Sequence, residues 1–125
     1  MISRTVLLVN DNALSRRNLA QFLTDEGYAV EQAEDAEHAL RLLSTREFDI
    51  VIAGYVVRGR YAGVDIFRAC PTSGKIMYTS YPAENVQPFA EAAEALLVGK
   101  PAPFQDLLHA IETVLAKRPQ LPRSV

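Results

Sequence analysis

The sequence predicts a doubly wound α/β fold, a three-layer sandwich in which helices cover both faces of a parallel five-stranded sheet. Five short apolar runs occur along the chain, as expected for strands that are buried on both faces. Helical periodicity follows each run, and right-handed crossovers between parallel strands place such helices on the two faces. With 125 residues, 49% of them hydrophobic, the chain has the size of one domain.

The first βα unit is clearly marked. The apolar run Thr5–Val9 is partly β-branched and is followed by three polar residues, which indicates a buried strand that ends in a loop. Apolar residues with mostly helical spacing then predict a helix over residues 13–26. Asn12 is suited to cap its start, and Gly27 is suited to end it.

The second and third units repeat this pattern. Tyr28–Val30 and Asp49–Ala53 are predicted strands, and Asp35 is positioned to cap the helix between them. After a loop that contains glycines, apolar residues from Val64 to Ala69 predict a third helix, which ends before the turn Pro71–Gly74.

The last two units complete the alternation. Lys75–Thr79 and Ala95–Val98 are predicted strands, separated by an alanine-rich helix over residues 83–93. The final helix, from Phe104 to Leu115, carries the clearest apolar face, and Pro103 lies near its start. We expect a domain over residues 1–118 and an unstructured tail over residues 119–125.

Composition excludes several classes of function. A net charge of -2 and a pI near 5.7 argue against binding to nucleic acid or to an anionic membrane. The amino-terminal apolar run is too short for a signal peptide or a membrane span, so a cytoplasmic protein is expected. Cys70, His38 and His109 show no metal-ligand spacing. We find no nucleophile paired with a base and no glycine-rich phosphate loop, so an enzyme is not expected.

The loops after the strands are the segments in which to look for function, because doubly wound sheets bind ligands at the carboxyl ends of their strands. Four segments there resemble the receiver domain of response regulators, in the expected order. The resemblance covers about residues 4–116 and implies a flavodoxin- or CheY-like sheet of order 2-1-3-4-5. The four segments are Val6–Asn12, Phe48–Gly54, Tyr78–Ser80 and Val98–Pro101.

The resemblance also implies roles for single residues. In this family, two acids after strand one help to hold magnesium, and an aspartate after strand three accepts a phosphoryl group from a histidine kinase. A hydroxyl after strand four and a lysine after strand five bind the phosphoryl oxygens. The chain matches three of these positions, with Asp11 as the second acid, Thr79 as the hydroxyl and Lys100, followed by the expected Pro101, as the lysine.

Three other positions depart from the family pattern. Asn10 replaces the first acid, Gly54 replaces the phosphoacceptor, and Leu97 replaces the aromatic residue that members often carry three positions before the lysine. Glycine has no nucleophilic oxygen, so an aspartyl phosphate cannot form at residue 54. Only Asp11 remains as a weak candidate ligand, so magnesium binding is expected to be weak or absent and no cofactor is predicted.

These departures predict a pseudo-receiver that acts by protein-protein interaction. Its expected partner is a histidine kinase, another regulator or a second copy bound through helix four, strand five and helix five. Arg58 and Arg60, together with Lys100, are candidates to attract an anion or an acidic partner surface. Tyr55, Tyr61 and Leu97 are further contact candidates, although solvated arginines and simple packing of the tyrosines are the commoner situations.

Alternatives remain open at this point. Asp49, Thr79 or Ser80 could accept a phosphoryl group instead, although Asp49 lies at the opposite end of strand three. The pocket could also bind a small anion. Asp11 could simply pair with Lys100 or cap helix one, and Thr79 could satisfy a backbone group.

Overall fold

Five strands alternate with five helices in the computed structural model, which describes residues 3–117. The predicted tail and its boundary at residue 118 lie outside the described residues. No helix of this part of the chain is long and apolar enough to cross a bilayer. The elements are β1 (Thr5–Val9), α1 (Ala13–Asp25), β2 (Ala29–Ala33), α2 (Ala36–Thr45), β3 (Ile50–Ala53), α3 (Gly63–Arg68), β4 (Gly74–Thr79), α4 (Ala83–Ala92), β5 (Leu96–Gly99) and α5 (Phe104–Lys117).

The sheet is parallel with the order β2-β1-β3-β4-β5, which confirms the predicted fold. The register brings the carboxyl ends of four strands together, because Val9 pairs with Ala53 and Thr79 pairs with Gly99. The strand order reverses between β1 and β3, where doubly wound sheets form their crevice. The loops after β1, β3, β4 and β5 therefore lie at one edge.

Two apolar clusters fill the space between the sheet and its two helical layers. Successive side chains of a strand point to opposite faces, so β1 contributes Leu7 to one cluster and Leu8 to the other. The first cluster contains residues of α2, α3 and α4, among them Phe67. The second contains Leu19 of α1 and Leu107 of α5. Both strand faces are thus buried, which explains the unalternating apolar runs.

The local signals mostly act as predicted, with one difference at β2. Asn12 accepts a hydrogen bond from Ser15 N at 2.9 Å and so caps α1. Asp35 caps α2 in the same way, through His38 N at 2.8 Å. The strand predicted over Tyr28–Val30 instead runs from Ala29 to Ala33. An edge strand tolerates its polar residues because one side of it lacks a partner strand.

Candidate functional site

A small cavity of about 220 Å³ lies at the carboxyl edge of the sheet. It collects the family-site positions 10, 11, 54, 79 and 100 from four separate loops. Asp11 is the one carboxylate among its described lining residues. The lining consists of Leu8, Val9, Asn10, Asp11, Gly54, Val56, Val57, Tyr78, Thr79, Ser80, Tyr81 and Lys100.

The side chain of Asn10 braces the loop between β1 and α1. It is buried, its Oδ1 accepts a hydrogen bond from Asn12 N at 2.9 Å, and its Nδ2 donates to Ser15 Oγ at 3.4 Å. The Asn10 carbonyl accepts a further hydrogen bond from Arg16 Nη1 at 2.8 Å. Arg16 is also held by Gln32 through a hydrogen bond of 3.1 Å. This network places a guanidinium group close to the end of β1.

Asp11 holds the loop between β3 and α3. Its Oδ2 accepts a hydrogen bond of 2.7 Å from the backbone N–H of Arg58. Arg58 and Gly59 have φ angles of 51° and 73°, and Val57 and Arg60 exchange backbone hydrogen bonds of 2.8 and 3.1 Å around them. Positive φ at both central residues is the signature of a type I′ turn. We call these four residues the 57–60 turn.

Neither of the structural contacts considered for Asp11 is formed among the described residues. Asn12 caps α1 instead, and the ion pairs of the described residues do not include one between Asp11 and Lys100. The Asp11 carboxylate is instead used to fix the 57–60 turn. The Arg58 guanidinium adds an exposed ion pair of 3.4 Å with Glu34, which follows β2. Loops from three strands are thus joined at the 57–60 turn.

Lys100 lies over an aromatic ring. Its Nζ is 4.8 Å from the centroid of the Tyr78 ring, a cation–π geometry. Although much of the residue is exposed, burial lowers the pKa of Lys100, and the negative charge of Asp11 partly opposes this shift. The Lys100–Pro101 peptide bond is cis, and Lys100 N donates to the Thr79 carbonyl at 2.8 Å.

The hydroxyl group of Thr79 has a local hydrogen-bond partner. Thr79 is buried at the end of β4, and its Oγ1 accepts a hydrogen bond of 3.2 Å from Tyr81 N. This contact is the backbone role that the sequence left open for Thr79. Ser80, the next residue, is exposed.

Gly54 follows β3 in a tight environment. A Cβ atom placed on Gly54 would lie 3.0 Å from the carbonyl oxygen of Val56 and 3.4 Å from that of Tyr78. Its own carbonyl oxygen lies against Gly63, where an added Cβ would approach to 2.2 Å. Residue 63 must therefore be glycine for α3 to start this close to the end of β3.

An aromatic patch flanks the cavity. The Tyr55 ring lies at its centre, with centroid distances of 5.3 Å to Tyr61, 5.6 Å to Tyr81 and 5.4 Å to Phe89. The three outer residues are 66%, 40% and 45% exposed. The sequence pointed to Tyr55 and Tyr61 but missed Tyr81 and Phe89. The helical spacing of α4 could have identified Phe89 as an exposed aromatic residue, because Phe89 lies outside the buried face that carries Val86 and Ala90.

The other contact candidates differ in their surroundings. Arg60 is exposed in the 57–60 turn, with its backbone engaged and its side chain outside the ion pairs of the described residues. Leu97 is half-buried on β5 and packs against the cluster that contains Phe67. Of these two, Arg60 offers its functional group to solvent.

This arrangement of the site agrees with the family to which the sequence is similar. The family model described as the response regulator receiver domain matches residues 6–112. The chain belongs to this family. Receiver domains are signalling modules that interact with kinases or other regulators, and they are generally not enzymes.

Curated relatives extend beyond the region that this chain matches. The transcriptional regulatory protein PdtaR of Mycobacterium tuberculosis is 31% identical over 123 residues, which cover 93% of this chain and 58% of that protein. The two-component response regulator PhoP of Pseudomonas aeruginosa is 28% identical over 122 residues, 90% of this chain and 52% of that protein. The chain therefore spans little more than half the length of these relatives.

Solved structures share the fold over nearly the whole chain. A CheY-like receiver domain protein from Methanospirillum hungatei gives a TM-score of 0.84 at 25% identity, covering 93% of this chain and 96% of that one. The chemotaxis response regulator CheY4 of Vibrio cholerae gives 0.80 at 26% identity, covering 90% and 99%. Both are receiver-type proteins, in agreement with the family match.

Proposed function

We propose that this receiver domain signals by binding a partner protein and does not accept a phosphoryl group after β3. The proposal depends on one observation. Gly54, the residue that directly follows β3, has no nucleophilic oxygen, and Asp11 is the single carboxylate lining the described cavity. Asp11 is already bonded to Arg58 N. A carboxylate that could carry the phosphoryl group is therefore lacking at this position.

The residues at the cavity do not fit the magnesium site that the family implies. Magnesium requires several hard oxygen ligands in near-octahedral geometry. The Oδ1 of Asn10 already accepts a hydrogen bond from Asn12 N, and one oxygen of Asp11 accepts from Arg58 N. Across the described residues, no group of three acidic, histidine or cysteine side chains is suited to hold a metal ion. We propose that magnesium binds weakly or not at all.

The network of internal contacts supports a fixed conformation. In this network, protein groups take the place of the metal and the phosphoryl group: Asp11 binds the 57–60 turn, Lys100 stacks on Tyr78, and Thr79 accepts from Tyr81 N. These bonds join the loops without any ion or modification. We infer that the domain remains in one signalling state, and that its output depends on contact with its partner.

The proposed partner is a histidine kinase or another regulator. The aromatic patch supports a contact surface beside the cavity, because tyrosine and phenylalanine are enriched at interface cores and here three of four rings are exposed. Arg60 adds an exposed positive charge next to Tyr61, which suits an acidic segment of the partner. The face formed by α4, β5 and α5 remains the proposed surface for self-association.

Phosphorylation at another residue is less well supported. Asp49 lies before β3 and accepts hydrogen bonds from the N–H and the hydroxyl of Thr5 at 2.9 and 3.2 Å, so it occupies the opposite edge of the sheet. Thr79 is buried and bonded, and exposed Ser80 has no hydrogen bond to a base within residues 3–117 that could activate it. An acceptor other than an aspartate would thus need a different phosphorylation chemistry.

A small-anion sensor is the third candidate. Lys100 and Ser80 line the cavity, but its volume of about 220 Å³ is below the roughly 300–1,000 Å³ typical of organic ligand sites. Asp11 also offsets the charge of Lys100 there. Thermal-shift measurements with phosphate, sulfate and nucleotides should show no stabilisation, and a saturable increase in melting temperature would favour the sensor.

The primary test is phosphorylation itself. Incubation with acetyl phosphate or beryllofluoride in the presence of magnesium should leave the intact mass and the amide NMR spectrum of the wild-type protein unchanged. Stoichiometric labelling, or shifts spreading from the cavity, would overturn the proposal. A phosphate mapped to Asp49, Thr79 or Ser80 after incubation with a kinase would support the alternative acceptor instead.

A restored site gives the converse test. The double variant Gly54→Asp with Asn10→Asp supplies two carboxylates beside Asp11, and we expect it to gain measurable magnesium affinity in a titration. Because a Cβ at residue 54 would lie 3.0 Å from Val56 O, the loop must shift by a few tenths of an ångström. Gly54→Ala with Asn10→Asp is the matched control, since it adds the same Cβ without the new carboxylate at residue 54.

A further inference from the structure

A second and larger cavity lies at the opposite edge of the sheet. Its volume is about 590 Å³, and it is bounded by the turn before β4, the start of β5 and the last turns of α5. The strand β4, which is about 17 Å long at 3.3 Å per residue, runs from this cavity to the family-site cavity. It is lined by Pro71, Thr72, Ser73, Gly74, Lys75, Glu94, Ala95, Leu96, Thr113, Val114 and Lys117.

Lys75 gives this cavity a buried positive charge. The residue is only 6% exposed, and its Nζ donates to the carbonyl oxygens of Pro71 and Ser73, both at 3.2 Å. An ammonium group has three N–H donors, so one donor remains beyond these two bonds. None of the ion pairs of the described residues involves Lys75. The buried cation therefore lacks a carboxylate partner within this part of the chain.

The rest of the lining consists of apolar surface and two exposed charged residues. Ala95, Leu96 and Val114 supply apolar walls. The other two charged lining residues, Glu94 and Lys117, are exposed and opposite in sign, so the net charge of the lining is that of Lys75. Ligand sites of this size combine apolar walls with a few polar groups that fix orientation. A buried charge is also stabilised when an opposite charge pairs with it.

We propose that this cavity binds a small amphipathic carboxylate, with its apolar body against Leu96 and Val114 and its carboxylate on the Nζ of Lys75. The charged hydrogen bond would supply the third partner of the ammonium group. The site is independent of the proposed function, since it shares no lining residue with the cavity at the carboxyl edge. A ligand here would touch β5 and α5 directly.

Octanoate is a suitable probe, and octan-1-ol of the same chain length is its neutral control. In amide NMR titrations of the full chain, octanoate should cause saturable shifts at Gly74, Leu96 and Thr113. Octan-1-ol should bind at least about tenfold more weakly, since it lacks the charged hydrogen bond. Equal affinity of the two probes, shifts confined to the other edge of the sheet, or an absence of saturable shifts would overturn the proposal.

Lys75→Met separates binding from a structural role. The substitution keeps an unbranched chain and removes the charge, so octanoate affinity should fall by about tenfold or more while octan-1-ol affinity stays unchanged. Lys117→Met, at the exposed rim, should change octanoate affinity less than about threefold. If Lys75 only supports its turn, its substitution will lower stability and leave the preference for octanoate intact. If this variant fails to fold, the wild-type comparison of octanoate with octan-1-ol decides.

Discussion

Removal of the Asp11 carboxylate should release the 57–60 turn. Asp11→Ala deletes the acceptor of the 2.7 Å bond from Arg58 N. Without this bond, Arg58 must keep a φ of 51° unaided, although left-handed backbone costs an L-residue about 1–2 kcal/mol. The variant should therefore lose stability and increase hydrogen exchange at the Arg58 amide.

The size of the loss follows from the kind of bond. Hydrogen bonds to charged groups contribute about 1.5–3 kcal/mol, and water competes for Asp11 because it is exposed. We expect the free energy of unfolding to fall by about 1–2 kcal/mol. Asp65→Ala is a matched control, because it removes another exposed carboxylate whose 3.8 Å pair with Arg68 is worth less than about 0.5 kcal/mol.

Urea unfolding of both variants compares their losses in free energy of unfolding. An unchanged dependence of this free energy on urea concentration indicates that only stability has changed. Repeating Asp11→Ala in an Arg58→Gly background distinguishes the backbone bond from attraction to the guanidinium group. The N–H donor survives that substitution, so the loss should be equally large. A loss no greater than that of Asp65→Ala, or one that vanishes without the Arg58 side chain, would refute the role assigned to Asp11.

Three other predictions concern packing, ionisation and partner binding. Gly63→Ala should cost about 2–4 kcal/mol in urea unfolding, because its Cβ would lie 2.2 Å from the Gly54 carbonyl; a loss below about 1 kcal/mol would show that α3 can move away. Burial raises the pKa of Cys70 to about 11. The native state therefore keeps a proton that the unfolded chain releases, and stability falls as the pH rises above the pKa of the thiol in the unfolded chain. The decrease by about pH 10 should be about 1.5–2 kcal/mol larger than in Cys70→Ala, whereas parallel pH curves would contradict this. Tyr55→Ala, at the centre of the aromatic patch, should weaken partner binding by at least about tenfold, and Tyr28→Ala, which alters a tyrosine outside the patch, should leave binding unchanged in the same assay.

The predicted fold matches the structure closely because its signals are local. Buried parallel strands need continuous apolar runs, and caps such as Asn12 and Asp35 act within three residues of their own position. The exception is β2, where Glu31 and Gln32 interrupt the apolar pattern. An edge position, which depends on the whole sheet, makes these polar residues acceptable.

The site was harder to predict because its contacts depend on backbone geometry. The sequence located Asp11 and Lys100 at one edge, but it pointed to a pair between two charged side chains. The actual partner of Asp11 is the N–H of Arg58, which becomes available only because the turn adopts positive φ. Phe89 was missed for a similar reason, since α4 brings it to Tyr55 from 34 positions along the sequence.

The bond between Asp11 and the 57–60 turn has a consequence for regulation in a domain that works as we propose. Both groups belong to the polypeptide, so this connection does not respond to the supply of divalent ions or of high-energy phosphate in the cell. Such a component has no rapid chemical input at this position. Its influence would then scale with how much of it is synthesised and degraded, and with competition among its binding partners.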